Sequence, residues 1–562
     1  MVALLLAASL AASLLSLQCF ALLEEELVTF QGISSSATGP GLDIADAALI
    51  YDQDDFKGVQ IAVQSLWRDL DQITGHGNRQ LAAVTAVNAS IPGNLGAAII
   101  VGSVNSSLIR QITSSGALSL TDIEGRWESF KTSVVQNPLP GVDNALVIAG
   151  SDKRGTIFGV YTLSEQCGQS PYHWFADVPA QRHTHIYALP KTTVHGEPSV
   201  RYRGLFINDE EPALNQWWAR RHNATRWPLD REFYAHVFDL LLRLRANFLW
   251  PAMWKSFTPP PGNIFFTDDP GNQQLADDYG IVISTAHHEP MQRATNEWDE
   301  VRLGPWDWSR NRDNITRFMD EGVRRAGKNE SYFTIGMRGL GDEAANTANA
   351  IEMLKDVFRV QRGIIKKYHG SEDAVNQVWT LYKEVAAYYD AGLDPPEDVT
   401  LLFPDDNQGN VYRLPTGNET RRKGGSGVYF HLEYVGLPRS YKWANTNNLS
   451  KILKELHQSY LRGADRIFVV NVGDIKPMEL PFNLAMDLAW DASKLDSPAK
   501  IPHYLERYAT REFGADSAPE IAAILLEHSH LVGMRRYEFV TPDTFSVLTT
   551  TRPSESSTAG SV

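Results

Sequence analysis

Residues 202–211, YRGLFINDEE, are a short apolar run that ends abruptly in polar and acidic residues. An apolar run of this length is typical of a strand buried inside a parallel sheet. The same pattern, a short apolar run followed by polar or charged residues, occurs eight times between about residue 200 and residue 490. The other seven runs are 248–250, 281–284, 332–337, 377–381, 399–403, 428–430 and 467–470.

The segments between these runs have the apolar spacing of amphipathic helices, as in 233–246, 344–367 and 449–461. Eight strand-then-helix units predict a (β/α)8 barrel, also called a TIM barrel, over residues 196–490. The alternative is an open doubly wound sheet. It is disfavoured because no glycine-rich phosphate loop follows the first run and because the number of units reaches eight.

The region before the barrel, residues 22–195, predicts a smaller α/β domain. Its runs 97–102 and 145–150 end in glycine and resemble buried strands, and 154–166 has helical spacing. After the barrel, 491–548 is interpreted as the start of a helical region. The Ser/Thr-rich tail 549–562 is predicted to be disordered.

Residues 1–21 resemble a secretory signal peptide, because an uncharged apolar stretch precedes small residues at a cleavage-like spacing. We therefore expect an extracellular protein. Cys19 would leave with the signal, so Cys167 is expected to be unpaired. Seven Asn-x-Ser/Thr sequons suit a secreted glycoprotein: Asn88, Asn105, Asn223, Asn314, Asn329, Asn418 and Asn448.

The composition excludes some partners. The formal net charge is −15, whereas nucleic acids and anionic membranes require a positive surface. The chain has 14 Trp, and indole rings stack on the apolar faces of sugars, although most tryptophans serve packing.

Chemistry is expected where the strands end, because the carboxyl ends of barrel strands surround one shared pocket. Hydrolysis of a glycosidic bond needs one protonated carboxyl group and one ionised carboxylate, and each acid here has the alternative role of capping the next helix. The acids at these ends are Asp209, Glu210, Glu211, Glu289, Asp342, Glu343, Glu384, Asp405, Asp406, Glu433 and Asp474.

Arg338 lies among these acids and offers a two-pronged donor for a sugar carboxylate. Lys383 and Lys476 are alternatives for the same task. An acidic pocket with an embedded arginine suits a sugar acid better than a neutral sugar. The competing interpretation is that Arg338 only forms a salt bridge with Asp342.

A metal site was weighed at His287, His288 and Glu289, with further oxygen ligands from Asp405 and Asp406. Neighbours on a strand point in opposite directions, and the chain has no zinc-binding HExxH helix. We therefore expect no metal. A serine hydrolase is also disfavoured, because no nucleophile elbow is present.

Several long motifs resemble glycoside hydrolase family 115, the xylan α-1,2-glucuronidases. They occur in the family's order within about 154–545, and they are RGLFINDEEP (203–212), NFLWPAMW (247–254), HHEPM (287–291), GMRG (336–339), YKEV (382–385), PDDN (404–407) and HLEYVG (431–436).

The resemblance implies an inverting hydrolase of glucuronoxylan or aldouronic oligosaccharides that needs no cofactor. It implies that Glu384 is the general base and that Asp342 or Asp209 is the general acid. It also implies a sugar pocket lined by Asn208, Trp250, His288, Arg338, Asp405, Asn407, His431 and Tyr434.

The resemblance stops near residue 545, whereas family members usually continue through a full helical region into a C-terminal β domain. A truncated chain is therefore one interpretation, and it leaves the homodimer of full-length relatives in doubt. Two other functions stay open: an inactive carbohydrate-binding homologue and a related barrel glycosidase, such as a hexosaminidase-like enzyme.

Overall fold

The computed structural model describes residues 23–31, 41–77, 79–84, 94–209, 213–254, 262–345, 349–434 and 444–534. The predicted signal peptide, the predicted tail, Asn88, Glu210 and Glu211 lie outside these ranges. The strands are β1 (Val28–Thr29), β2 (Leu42–Asp43), β3 (Ala48–Asp52), β4 (Leu81–Val84), β5 (Ala98–Ser103), β6 (Phe130–Leu139), β7 (Val142–Gly150), β8 (Tyr187–Ala188), β9 (Thr192–His195), β10 (Tyr202–Ile207), β11 (Phe248–Trp250), β12 (Val282–Ile283), β13 (Tyr332–Thr334), β14 (Asn376–Thr380), β15 (Thr400–Pro404), β16 (Ser426–His431) and β17 (Ile467–Gly473).

Helices connect and cover these strands. They are α1 (Lys57–Thr74), α2 (Ser107–Ser114), α3 (Lys153–Cys167), α4 (Ala213–Arg221), α5 (Arg231–Arg243), α6 (Phe265–Asp268), α7 (Asn272–Tyr279), α8 (Glu300–Leu303), α9 (Trp308–Ala326), α10 (Ala350–His369), α11 (Glu384–Asp390), α12 (Leu449–Leu461), α13 (Glu479–Trp490), α14 (Ile501–Phe513) and α15 (Ala518–Met534). Short 3-10 helices occur at Pro290–Gln292, Thr295–Glu297, Leu340–Asp342, Gly417–Arg421 and Pro498–Lys500. Among the helices of the described ranges, none has the length and apolarity that crossing a membrane demands.

The smaller N-terminal domain contains a six-stranded mixed sheet in the order β4-β3-β5-β7-β6-β9. Its β3, β4, β5 and β7 pair in parallel, and β6 pairs antiparallel with both β7 and β9. Cys167 is buried and free in this domain, as the sequence predicted. The chemistry described below lies outside this sheet.

The larger sheet confirms the barrel prediction. Eight parallel strands follow in the order β12-β11-β10-β17-β16-β15-β14-β13. The two ends of this order meet through one parallel bridge between Ile283 and Ser331, so the sheet is a nearly closed barrel. We call the line where β12 meets β13 the seam. The open doubly wound sheet is thereby excluded.

Aromatic rings fill the inside of the barrel. Tyr202, Phe206, Trp250, Tyr332 and Tyr429 belong to one buried cluster of inward-facing residues from alternating positions. Edge-to-face pairs form between them, with ring centroids 5.5 Å apart for Phe206 and Trp250 and 5.2 Å apart for Tyr202 and Tyr332. The interior is therefore packed core, and ligands are expected at the mouth.

The helix predictions were partly right. Leu449–Leu461 is helical as expected, and Asn448 caps it by accepting a hydrogen bond from the Lys451 amide. The predicted helix 344–367 begins only at Ala350. A 3-10 helix is the only helix described between β15 and β16. Residues 491–534 are largely helical, in agreement with the sequence interpretation.

A buried ionic network joins the smaller domain to the barrel. Glu128 is fully buried, and its carboxylate accepts hydrogen bonds from Arg203 Nη2 at 2.8 Å and from Asn247 Nδ2 at 2.7 Å. Arg154 Nε donates to the same carboxylate at 2.5 Å. Arg154 Nη1 also donates to the Gly280 carbonyl at 3.3 Å and to Glu330 at 2.8 Å.

Arg154 therefore contacts both sides of the seam at its amino end, because Gly280 precedes β12 and Glu330 precedes β13. Arg203 belongs to β10 and is itself fully buried. A buried carboxylate is tolerated only when charged partners surround it. Glu128 thus fixes the placement of the smaller domain against the barrel.

We expect Glu128→Gln to lower the free energy of unfolding by about 3–5 kcal/mol, because it leaves two buried arginines without their carboxylate. Denaturant unfolding measures this change. The matched control is Glu321→Gln, which removes an exposed carboxylate paired with Arg324 and should change stability little. Equal effects of the two variants would contradict a structural role for Glu128.

Candidate active site

The mouth of the barrel at the carboxyl ends of β12, β13 and β14 carries a compact charged cluster centred on Arg338. Arg338 follows β13 and is only 3% exposed. Its Nε and Nη2 donate to Glu384 Oε1 and Oε2 at 2.9 and 2.7 Å. Its Nη1 donates to the Asp342 carbonyl at 2.9 Å and also to the Asp342 carboxylate. One guanidinium therefore stands between two of the predicted catalytic acids.

Turn geometry brings these groups together. Asp342 ends a 3-10 helix with a φ of +70°, and Lys383 has a φ of +53° immediately before Glu384, the first residue of α11. Non-glycine residues rarely adopt such angles, and they are found where a site demands a particular side-chain direction. The Lys383 side chain turns back to Asp342, with Nζ 2.9 Å from Oδ2.

Two histidines complete the surroundings of Asp342. His287 Nε2 lies 2.8 Å from Asp342 Oδ1, and His288 Nδ1 lies 3.8 Å from the same oxygen. His288 Nε2 lies 3.3 Å from Glu289 Oε1. Asp342 is thus enclosed by Arg338, Lys383 and two imidazoles.

Burial and positive neighbours hold both imidazoles neutral. Burial is the largest cause that lowers the pKa of His287 well below its usual value, and the positive charges of Arg338 and Lys383 act in the same direction. Burial, followed by Arg338 and Lys383, lowers the pKa of His288 to about 3. Burial raises the pKa of Glu289 well above its usual range, although the Thr295 backbone amide and hydroxyl both donate to its carboxylate.

Across the mouth, Asp405 fixes His431. Asp405 Oδ1 accepts from His431 Nδ1 at 2.5 Å, and its Oδ2 accepts from the His431 backbone amide at 2.9 Å. Asn407, with a φ of +69°, accepts from the Tyr382 hydroxyl at 2.8 Å. The ring of Tyr434 stands edge-on to His431 at 5.5 Å. These four predicted pocket residues do lie together at the ends of β15 and β16.

Asp209 lies apart from the Arg338 cluster, at the end of β10. Its carboxylate accepts a hydrogen bond from Asn263 Nδ2 and is 2% exposed. Asn208 beside it donates its backbone amide to the Gly473 carbonyl at 3.0 Å, next to the end of β17. In the strand order, β10 is two places from β12, with β11 between them.

Trp250 differs from the expectation. Its side chain is completely buried and packs against Phe206 and Tyr429 inside the barrel. The indole therefore supports the floor of the pocket and offers no face to a sugar. Trp250 was expected in the sugar pocket because it ends a strand. As the last residue of β11 it does end a strand, but its ring points into the barrel.

His287 and His288 also lie differently from the expectation. His287 and His288 were expected to point in opposite directions along a strand, but they lie in a turn after β12, and both rings approach Asp342. Potential ligand atoms of His287, His288 and Asp342 all lie within 4.8 Å of one another. Arg338 and Lys383 already bind this carboxylate, however, so a third cation would meet two positive charges.

Sequence analysis missed two contributors. His287 was considered only as a metal ligand, although it is the imidazole in hydrogen-bond contact with Asp342. Lys383 was considered only as a substrate contact, although it pairs with Asp342. Their positions directly beside His288 and Glu384 were the available signal.

We expect the free energy of unfolding to fall as the pH decreases from about 6.5 towards 3. Unfolded His288 takes up a proton near pH 6.5, whereas the folded residue resists it until about pH 3, so acid favours the unfolded chain. His288→Gln should reduce the loss at pH 5 by on the order of 2 kcal/mol. Denaturant unfolding at pH 7 and pH 5 measures it.

The exposed His503 supplies the control for that experiment, and His503→Gln should keep the full acid loss of the parent chain. A His288→Gln variant that loses stability in acid as steeply as the parent would show that His288 is protonated normally in the folded state.

Comparison with solved structures finds a relative that is similar in both sequence and fold. It is a family GH115 4-O-methyl-α-glucuronidase with specificity for decorated arabinogalactans, 32% identical, with a TM-score of 0.77. The match covers 88% of this chain and 62% of that one, so the chain spans less than two thirds of that enzyme's length. A chitobiase from Flavobacterium johnsoniae is 11% identical over 88% of this chain and 72% of its own, with a TM-score of 0.49.

No curated protein sequence gives a significant match. The family model described as glycosyl hydrolase family 115 matches residues 195–539, which is more than half of the chain and contains every side chain of the cluster around Arg338. The chain therefore belongs to glycosyl hydrolase family 115.

Proposed function

We propose that the chain is a secreted α-glucuronidase that hydrolyses the α-1,2 bond between (4-O-methyl)glucuronic acid and xylose in glucuronoxylan, with inversion. The observation that carries the proposal is the clamp of Arg338 on Glu384 and Asp342 at the barrel mouth. Such an arrangement places two carboxyl groups and fixed positive charge in one pocket, which suits a sugar acid. The similarity to a 4-O-methyl-α-glucuronidase supports the same activity.

Glu384 is the proposed general base. Its carboxylate is paired through both oxygens with Arg338, and a base must be ionised to take a proton from water. The side chain retains 20% exposure, so a water molecule can reach it. Inversion requires that this water attacks the sugar from the face opposite the leaving group.

Asp209 and Asp342 are the two candidates for the general acid. Asp342 contacts Arg338, Lys383 and His287, and positive neighbours favour the charged form of a carboxyl group, which cannot donate a proton. Asp209 receives the neutral amide of Asn263 and is more deeply buried. We therefore favour Asp209 as the acid and assign Asp342 to the orientation of Arg338 and Lys383.

Arg338 and Lys383 supply the charge that attracts the sugar carboxylate. Lys383 keeps 43% of its side chain exposed at the mouth, whereas Arg338 is buried and holds the two acids. The arginine thus acts mainly as a positioning residue. Asn208, His288, Asp405, Asn407, His431 and Tyr434 are proposed to line the remaining sugar pocket. No cofactor enters this mechanism, because two carboxyl groups suffice for the hydrolysis.

The polymer that carries the glucuronic acid needs a direct test. The relative has specificity for decorated arabinogalactans, whereas the motif resemblance to family 115 implies xylan as the polymer for this chain. Uronic acid release should be measured on glucuronoxylan and on a glucuronylated arabinogalactan side by side. Faster release from the arabinogalactan would overturn the xylan assignment.

An extracellular location is part of the proposal. Three sequons, at Asn105, Asn223 and Asn418, have exposed asparagine residues, as glycosylation requires. Asn448 is engaged instead, because its Nδ2 donates to the Ser529 carbonyl at 2.7 Å. Glycans are accordingly proposed on the first three sites.

Glu384→Gln should lower kcat on aldouronic oligosaccharides by at least a thousandfold, because an amide cannot accept the proton of the attacking water. The measurement is the rate of uronic acid release. Asp390→Asn removes an exposed carboxylate at the other end of α11 and should retain the parent rate. Release by Glu384→Gln at near the parent rate would remove Glu384 from the mechanism.

The first product of an inverting enzyme on an α-linked substrate should be the β-anomer of the uronic acid. Proton NMR during the first minutes of hydrolysis distinguishes the anomers. Initial formation of the α-anomer would contradict inversion. Binding of the oligosaccharide without any release would instead favour the inactive carbohydrate-binding alternative.

A further inference from the structure

A second pocket opens beside the proposed catalytic mouth, where β10 and β17 end. It has a volume of about 190 Å³ and is mostly apolar, and its wall is formed by Phe175, Ala213, Leu214, Trp217, Asp474 and Lys476. Ala213, Leu214 and Trp217 belong to α4, which follows β10, and Asp474 and Lys476 follow β17. None of these residues belongs to the Arg338 cluster.

The aromatic part of the wall is held firmly in place. Trp174 meets the Trp217 ring edge-to-face with centroids 5.5 Å apart, and Trp218 packs beside it at 6.1 Å. The guanidinium of Arg221 lies 5.3 Å above the Trp217 ring. Trp217 remains partly exposed, whereas Phe175 is buried. A partly exposed indole in a pocket wall is a suitable surface for the apolar face of a pyranose ring.

Polar groups occur at one edge of this aromatic wall. Asp474 is 9% exposed, and the Lys476 side chain is about half exposed, with Nζ 3.9 Å from Glu479. An apolar wall with a few polar groups at its rim is the usual composition of a carbohydrate pocket, because sugars combine apolar ring faces with equatorial hydroxyl groups. The carboxylate of Asp474 in the wall disfavours a uronic acid at this position, so the pocket suits a neutral sugar.

The pocket lies at the same end of the barrel as the proposed active site, beside Asp209. In the barrel, β10 and β17 are neighbours, and Ile207 pairs with Gly473. Asp209 is therefore only two residues beyond the paired positions on one strand, and Asp474 is one residue beyond them on the other. In the strand order, β10 and β17 lie on the opposite side of the ring from β13 and β14, which carry Arg338 and Glu384.

We propose that this pocket is a subsite for a neutral sugar of the polysaccharide main chain, with one ring stacked on Trp217. The inference rests on the proposed glucuronidase function, since the main chain must continue from the mouth once its uronic acid branch is bound near Arg338. A polysaccharide main chain that extends from the mouth into this pocket passes next to Asp209. The pocket thus selects polymeric substrates over short ones.

Two variants test the subsite by independent changes. Trp217→Ala removes the stacking surface, and Ala213→Gln fills the pocket while leaving the Trp174–Trp217–Trp218 packing intact. Each should lower kcat/KM on glucuronoxylan about tenfold and leave kcat/KM on a glucuronosyl xylobiose within a factor of two. Trp217→Phe, which keeps an aromatic face, should restore most of the polymer activity.

Leu461→Ala is the matched control, because it removes an exposed apolar side chain at the end of α12, away from the mouth. It should not change either rate. Equal losses on polymer and oligosaccharide in both pocket variants, or no loss on polymer in either, would overturn the subsite. Thermal unfolding of each variant shows whether a loss of activity is due to misfolding. If Trp217→Ala is misfolded, the result for Ala213→Gln decides whether the subsite exists.

Binding of xylohexaose, measured by tryptophan fluorescence or NMR titration, separates this inference from the proposed function. The parent chain should bind xylohexaose, and Trp217→Ala should weaken binding about tenfold. If the parent chain releases no uronic acid from any substrate but binds xylohexaose through Trp217, the proposed function fails and the subsite stands. If β-1,3-galacto-oligosaccharides bind through Trp217 and xylohexaose does not, the main chain is a galactan. Absence of binding by both probes would overturn the subsite.

Discussion

The buried carboxylate of Glu128 is the interaction on which the arrangement of this protein depends. It accepts hydrogen bonds from two arginines and from an asparagine amide. All of these partners must be in position, because a buried charge without them is too costly. Arg203 belongs to the first barrel strand, and Arg154 belongs to the first turn of α3 in the smaller domain. The smaller domain and the barrel consequently have one compatible orientation, and the strand that ends in Asn208 and Asp209 is fixed by it.

At the mouth of the barrel, too, buried charges are tolerated because oppositely charged groups surround them. Arg338 is buried between two carboxylates, and Asp342 is shared among Arg338, Lys383 and His287. Charges arranged in this way cost little reorganisation when a charged ligand arrives, since the protein has already oriented them. The neutral histidines add hydrogen-bonding groups without adding a further positive charge.

The eight strands could be predicted because each is a short apolar run with polar residues behind it, and that pattern survives in any tertiary context. The pairing between acidic and basic side chains at the mouth could not be predicted. Arg338 lies 46 positions before Glu384, and their pairing arises only because β13 and β14 are neighbours. Alternation along a strand failed for His287 and His288, since the strand ends before them. Trp250 was wrongly expected to contact the sugar, because the side chain of the last residue in a strand can point either into the barrel or towards the pocket. Trp217 was not predicted as a site residue because it lies in the helix after β10 and not at the end of the strand itself.

The barrel has one weak joint, the single backbone bridge between Ile283 and Ser331. Side chains connect the two strands at both ends of this seam. Arg154 of the smaller domain contacts residues at the amino ends of β12 and β13, and His287 contacts Asp342 beyond their carboxyl ends. The smaller domain therefore helps to hold β12 and β13 together, so closure of the barrel depends on it. Cutting the chain ahead of β10 would remove Arg154 and so weaken the seam beside which His287 and Asp342 lie, even though both of those residues would remain.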